Sequence, residues 1–572
     1  MYRATRRTLI LNAAAAGAAT TVFRMPMAAF AQDATPVVIE GGYQSPTREE
    51  FEAQMIEELG IVEGTPGGIF VDSATADITT LMPLMAEDGD SLGIAGLIYD
   101  SLVGGSPITG QPAPNGLADR WEVAEDGITY TFYLNQDAMW HDGTPVTADD
   151  VIFSLDSLAN PEVGSVYMGM FMDATDSWRK IDDHTVEIVA KQPQVTFLYD
   201  LVSWVIPKHI WEPIPVADWA TSGGANGTDP AMVVGSGPFK FKEWAQGESQ
   251  TLVRNDEYYG KVPYIDEYVR IVWPDQQAVV NALLNGEVDI AGLEPADEKA
   301  VAENDSIEIV KYPTRGFSFV VPNLDPTVTE LFQDVKVRQA LFYALNRDSV
   351  VNDILLGNAE VAKGTQPVIS FAYAPDEMDI TYSYDPEKAK ALLAEAGWTD
   401  TDGDGIVDKD GTPLSFTYNY PSGSATSDQL AAYYQDAWKA IGVDMTPEAM
   451  DFPALVEMIT TNPTFEMVGL GFSWDASFIQ DAMFGCEQYM VGFNFMKYCN
   501  PDLDALNAEA KLTFDDAARR ELLVEATNIV NDELPVFVTH FSKAIAAYNK
   551  KLKNISPSAW GGIPVNYMYI EE

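Results

Sequence analysis

Beyond residue 66 the chain alternates short runs rich in β-branched and aromatic side chains with stretches of helical period, and no internal repeat interrupts the alternation. This pattern restricts the fold to mixed α/β classes, because successive strands and helices must bury their apolar faces on one another. The runs Thr129–Leu134, Thr185–Ala190, 414–418 and 465–472 read as strands. Thr147-Ala-Asp-Asp ahead of Val151-Ile-Phe-Ser-Leu reads as a capped helix start with acids at its positive end. In 335–351 the apolar residues Val337, Leu341, Ala344 and Leu345 recur at a period near 3.6 and predict one helix. Asp385-Pro386-Glu387 starts another, which Gly397 stops. Residues 32–66 predict a loose entry, and linkers are expected around 219–230 and 313–326. A length of 572 residues suggests about three to five domain-sized units.

Acidic side chains number 86 against 34 basic ones, a formal charge of -52. Nucleic-acid binding draws its affinity from clustered Lys and Arg, and an anionic membrane surface repels such a chain, so both partners are excluded. The excess fits a solvated surface of an acid or high-salt habitat, or a trap for cationic ligands.

Arg3, Arg6 and Arg7 precede an apolar run from Leu9 to Phe23, and Ala29-Phe30-Ala31 offers a small-x-small cleavage site. Residues 1–31 are expected to be an export signal. Thr5-Arg6-Arg7-Thr8-Leu9-Ile10 resembles the twin-arginine export motif, and Arg24 suits that route. The run is too short and too rich in Ala and Gly to span a bilayer, which needs about 20 apolar residues. The first cysteine is Cys486, so no lipid anchor is expected at the cleavage site. A free periplasmic or extracellular protein follows. In an oxidising compartment Cys486 and Cys499 favour a disulfide.

A secreted hydrolase is the rival from another class, and its catalytic set is hard to find. Gly89-Asp90-Ser91-Leu92-Gly93 matches the nucleophile-elbow string, but no hydrophobic strand precedes it, so Ser91 is expected in a loop. Among the four histidines, His141 before Asp142-Gly143 reads as a turn residue. No catalytic residue is assigned. Asp400, Asp402, Asp404 and Asp408, with Gly405, match positions of an EF-hand-type calcium loop, but Gly411 stands where the bidentate Glu belongs. A structural calcium site and a plain acidic turn both remain open, and no cofactor is otherwise required.

Five ordered blocks carry a resemblance over nearly the whole chain. They are Leu117-Ala-Asp-Arg-Trp with Trp140-His-Asp-Gly-Thr-Pro, then Gly235-Ser-Gly-Pro-Phe-Lys-Phe with Arg254-Asn-Asp-Glu-Tyr-Tyr-Gly, then Ala282-Leu-Leu-Asn-Gly-Glu-Val-Asp, Asp334-Val-Lys-Val-Arg-Gln-Ala-Leu, and Asp385-Pro386 to Gly397-Trp398. Together they resemble the family five extracellular solute-binding proteins, the peptide/nickel class serving ABC importers. The resemblance implies a two-lobed periplasmic-binding-protein-like α/β fold with a hinge and a subdomain inserted in the first lobe. It divides the chain into a first lobe at 37–312 with the inserted subdomain at 97–232, a second lobe at 313–539, and a return to the first lobe at 540–572. Crossings near Tyr312 and His540 form the expected hinge. It implies a monomeric receptor, not an enzyme, that captures oligopeptides or dipeptides and serves a membrane permease with cytoplasmic ATPases. Oligosaccharides, nickel chelates and haem are alternative solutes. In Phe472-Ser473-Trp474-Asp475, the Asp is expected to receive a peptide's α-amino group or else to cap a helix, and the Asp-Pro that often follows is replaced by Ala476-Ser477-Phe478. Trp474, Asp475, Phe317 and Ser318 are the candidate ligand contacts. Trp140, Trp204, Trp211 and Trp474 could stack on sugars or pack in the core.

Overall fold

The structure, a computed structural model, describes residues 42–201, 204–273, 275–460, 463–489 and 492–571. The sequence-read export signal, residues 1–31, lies outside them. Strands and helices alternate as expected, and the strands gather chiefly into three sheets of five, four and eight strands.

The five-stranded sheet runs Tyr43–Gln44, Ala118–Val123, Thr129–Leu134, Thr185–Ala190, Thr175–Asp182. Thr129–Leu134 and Thr185–Ala190 pair antiparallel with Tyr130 opposite Ile188 and Phe132 opposite Val186, and all four side chains are buried. Their period of two therefore places one apolar face against the helix Ala148–Leu158, through Val151, Leu155 and Leu158. That helix begins where Asp150 Oδ2 accepts the Thr147 N–H at 2.9 Å.

The four-stranded sheet, Ile69–Ala74, Glu267–Val272, Ser249–Arg254, Phe239–Ala245, packs on helix Gly89–Ile98. A side chain at Gly235 would put its Cβ 1.8 Å from the Ile98 carbonyl oxygen, so only glycine passes there. The next residue, Ser236, donates to Asp100 Oδ2 at 2.9 Å.

The eight-stranded sheet is built around one long strand, Phe537–Asn549. Its first residues pair with Gly316–Pro322 (Ser318 with His540, Val320 with Phe537), and its last seven pair with Ile307–Pro313. Ala359–Val361 covers His540 to Ser542 from the other edge. Met467–Ser473, Ser415–Pro421 and Asp444–Met450 extend the sheet beyond Gly316–Pro322. Apolar clusters fill both of its faces there, one under helices Pro386–Glu395 and Ala425–Lys439, the other under Pro501–Leu512 and Asp516–Glu533.

Several local expectations are corrected. The helix expected over 335–351 stops after Tyr343, because both the N–H and the carbonyl of Asn346 bond the Tyr433 hydroxyl (2.7 and 3.0 Å) and Asn346 caps a new turn at Ser349. The loose entry holds helix Arg48–Leu59, with Thr47 and Glu50 closing a capping box. The expected linker at 219–230 is a packed set of short helical turns around buried Trp219, and 313–326 contains the strand Gly316–Pro322.

His540 is 2% exposed on the long strand, with Thr539 Oγ1 3.0 Å from Nδ1, and burial holds its imidazole down to about 4. His141, enclosed between the Gly235 N–H and the Gly237 carbonyl, is likewise held at about 4 by burial. Both folded-state values lie below the ordinary value near 6.5, so the unfolded chain takes up these protons first. The stabilisation is complete above about pH 6.5 and is lost as pH falls toward about 4, by roughly 3 kcal/mol per histidine. Urea unfolding at about pH 7.5 and about pH 4.5 should therefore show a smaller acid loss for His540→Gln than for the parent; an equal loss would remove His540 from the account.

Candidate ligand-binding site

Ser415–Pro421 runs parallel to both Met467–Ser473 and Asp444–Met450, so the carboxyl ends of three strands emerge together near Pro421, Met450 and Ser473. Such ends are where open α/β sheets hold ligands. Segments far from these strands in sequence make contacts nearby. The Val195 N–H donates to the Lys511 carbonyl at 2.9 Å, and Thr426, in the first turn of Ala425–Lys439, donates to Glu294 Oε2 at 3.2 Å. The Trp560 ring meets Phe478 edge-on at 6.1 Å.

Asp475 follows the strand end and is exposed. Its Oδ1 accepts from the Ser477 N–H at 2.8 Å and the Ser477 hydroxyl at 2.5 Å, so it caps a turn, not a helix. Oδ2 has no hydrogen-bond partner among the described residues. The Tyr199 phenol from the other side is pushed up, mainly by burial and also by the negative charge of Asp475. One carboxylate oxygen thus fixes the turn while the other is open to a cation.

The other sequence-named contacts sit deeper. Trp474 is 3% exposed, donates Nε1 to the Thr365 carbonyl at 3.0 Å, and lies against Phe317 and Phe472. Phe317 is also buried, whereas Ser318 points to the opposite face of the strand and is half-buried, with its carbonyl accepting from Thr539 Oγ1 at 3.3 Å. Trp140, Trp211 and Trp474 have no exposed ring face, which leaves nothing there for a sugar to stack on. Tyr199, Lys511, Glu294 and Trp560 were not singled out in the sequence, because each acquires its place only by meeting a residue hundreds of positions away or on another lobe.

Among the acidic loop residues, Asp400, Asp402 and Asp404 bring one carboxylate oxygen each within 4.8 Å of one another. Asp408 turns away from them, and its carboxylate accepts from the Thr401 N–H (2.9 Å) and hydroxyl (2.7 Å). Cys486 and Cys499 form a disulfide, with Cα atoms 4.4 Å apart, in the segment leading to Pro501–Leu512.

The hydrolase reading gains nothing from the geometry. Ser91 is not in a loop as expected: it is fully buried in the first turn of helix Gly89–Ile98, donating to Asp88 Oδ2 at 2.7 Å, because Asp88 caps that helix. His141 has both ring nitrogens engaged by main-chain groups. His209 pairs with Asp142 at 2.8 Å. Among the described residues no helix is long and apolar enough to cross a membrane.

The family model described as bacterial extracellular solute-binding proteins, family 5 Middle, matches residues 113–489. The oligopeptide-binding protein AppA of Bacillus subtilis (strain 168) is 32% identical over 458 residues, covering 78% of this chain and 81% of that protein. Its structure in complex with a nonapeptide superposes with a TM-score of 0.77 over 89% of this chain and 100% of that one, at 27% identity. The dipeptide-binding protein of Escherichia coli (strain K12) is 28% identical over 461 residues, covering 77% of this chain and 82% of that protein. NikZ from Campylobacter jejuni, in complex with Ni(L-His), has a TM-score of 0.74 at 26% identity, covering 87% of this chain and 97% of that one. With two sheet-centred lobes joined by a shared strand and a matching sequence over most of its length, the chain belongs to the family 5 extracellular solute-binding proteins.

Proposed function

We propose that this protein is the extracytoplasmic receptor of an ABC importer and that it captures peptides between its two lobes, as a monomer, for a membrane permease with cytoplasmic ATPases. The observation that carries the peptide reading is the open oxygen of Asp475 at the strand end, opposite Tyr199, in a chain 32% identical to an oligopeptide-binding protein. A carboxylate so placed receives a peptide's α-ammonium group. The lobes are read as 37–312, with the inserted subdomain at 97–232 and the return at 540–572, and 313–539. Support comes from the strand crossings at Pro313–Gly316 and His540–Lys543. Contacts that both lobes make only when closed shift the population toward the closed state when ligand is present.

Export by the twin-arginine route is part of the same reading, motivated by Arg6 and Arg7. Changing both to Lys should trap precursor in the cytoplasm, and undiminished secretion would reject that route. A weak structural calcium site at Asp400, Asp402 and Asp404 is supported by their converging oxygens. Millimolar calcium should then raise the melting temperature of the parent but not of Asp402→Asn; the same temperature in calcium and in chelator would leave an acidic turn.

The ligand assignment is tested with short unblocked peptides followed by calorimetry. Asp475→Asn keeps an acceptor for Ser477 but removes the charge. It should weaken binding by about 2 kcal/mol or more, roughly thirtyfold. N-acetylation of the peptide should cost a similar amount in the parent and little further in the variant. Additive losses would place the amine elsewhere, and co-purification of a single nickel complex or sugar with the parent would replace the peptide reading.

A further inference from the structure

A run of aromatic rings leads from the core to the strand end at Ser473. Phe317 and Trp474 are buried, with ring centroids 5.7 Å apart. Phe472 is half-buried, 6.0 Å from Phe317 and 4.9 Å from Trp474. Phe493 completes the run, meeting Phe472 nearly edge-on at 5.1 Å, yet it is 53% exposed. Asp475, the carboxylate with an open oxygen, follows three residues after Phe472.

A single exposed phenyl is ordinary on a protein surface, but this one is held out by its main chain. Its N–H donates to the Ala482 carbonyl at 2.9 Å. Next to it, the buried Asn494 donates to the Gly485 and Tyr498 carbonyls at 2.8 and 2.7 Å and accepts from the Tyr498 N–H at 3.1 Å. The Cys486–Cys499 disulfide ties the two ends of the same segment. Phe495 and Met496 turn inward and are buried. The ring of Phe493 is thus kept out of the core, and its position is set before any ligand arrives. A fixed aromatic surface that continues a ring stack, on the strand end leading to an open carboxylate, has the make-up of a ligand pocket: apolar walls with a few placed polar groups.

We infer that Phe493 is a specificity-determining residue, whose exposed face receives an apolar or aromatic side chain near the amino end of the peptide. With the amine at Asp475, the first side chains of the ligand fall by the strand end, where the ring of Phe493 is an apolar surface left open. Edge-on or offset contact with a second ring adds to the burial of apolar area. The charge of the chain, 86 acids against 34 bases, attracts cationic peptides whatever their other residues. Discrimination among neutral side chains therefore falls to the ring. The assignment rests on the peptide-receptor reading.

The experiment measures, by calorimetry on the parent, Phe493→Ser and Phe493→Leu, unblocked tetrapeptides of alanine and glycine that carry Phe, Leu or Ser at the first or second position. In the parent, the Phe and Leu peptides should bind about tenfold or more tightly than the Ser peptide at one of those positions. Phe493→Ser should bring that ratio close to one, and Phe493→Leu, which keeps an apolar surface without a ring, should keep a smaller preference. A purely structural role would weaken every peptide alike and keep the ratio. An unchanged ratio in either variant, or no preference in the parent, overturns the role of Phe493 alone. Binding of none of the peptides to the parent overturns the peptide reading together with it.

Discussion

The continuous main-chain pairing along Phe537–Asn549 is the constraint from which the architecture follows. One strand pairs through its first residues with Gly316–Pro322 and through its last with Ile307–Pro313, both of which run beside it in the opposite direction. The join is thin. Between Pro313 and Gly316, the Thr314 N–H and hydroxyl both reach the Ser542 carbonyl, at 3.3 and 3.0 Å, and the ladder to His540 is irregular. Rotation absorbed at these few residues leaves every paired segment on either side intact, which is what a hinge between two rigid layers requires.

Charge shapes the rest. With so many acids, nearly any base finds a partner, and the first lobe spends its arginines internally: Arg48 on Asp119, Arg270 on Asp90, Arg254 on Asp256 and Asp266. Most recognisable motifs serve this architecture and touch no ligand. Gly235 is needed because the chain grazes the Ile98 carbonyl, Ser236 and Tyr258 both satisfy buried Asp100, and His141 bridges Gly235 and Gly237. The polar groups of these motifs are taken up by the fold's own hydrogen bonds.

Local physics made much of this protein legible from its residues alone. The alternation in Thr129–Leu134 and Thr185–Ala190, the caps at Thr147 and Asp385, and the stop at Gly397 depend on neighbours a few positions away, so the sequence contains everything that decides them. The ordered motifs likewise carried the family. The helix at 335–351 misled because its break is imposed by Tyr433, a residue its periodicity cannot see. Ser91 misled for a related reason: a string of five residues does not reveal that Asp88 will start a helix around it. What tertiary structure alone decided is the site. Whether Trp474 faces ligand or core depends on Thr365 and Phe317, whether Asp408 joins its neighbours depends on Thr401, and the approach of Tyr199 to Asp475 and of Trp560 to Phe478 depends on how segments far apart in the chain pack. Period and propensity act over a few residues, whereas these contacts are fixed by sheet register and lobe closure between segments far apart in the chain.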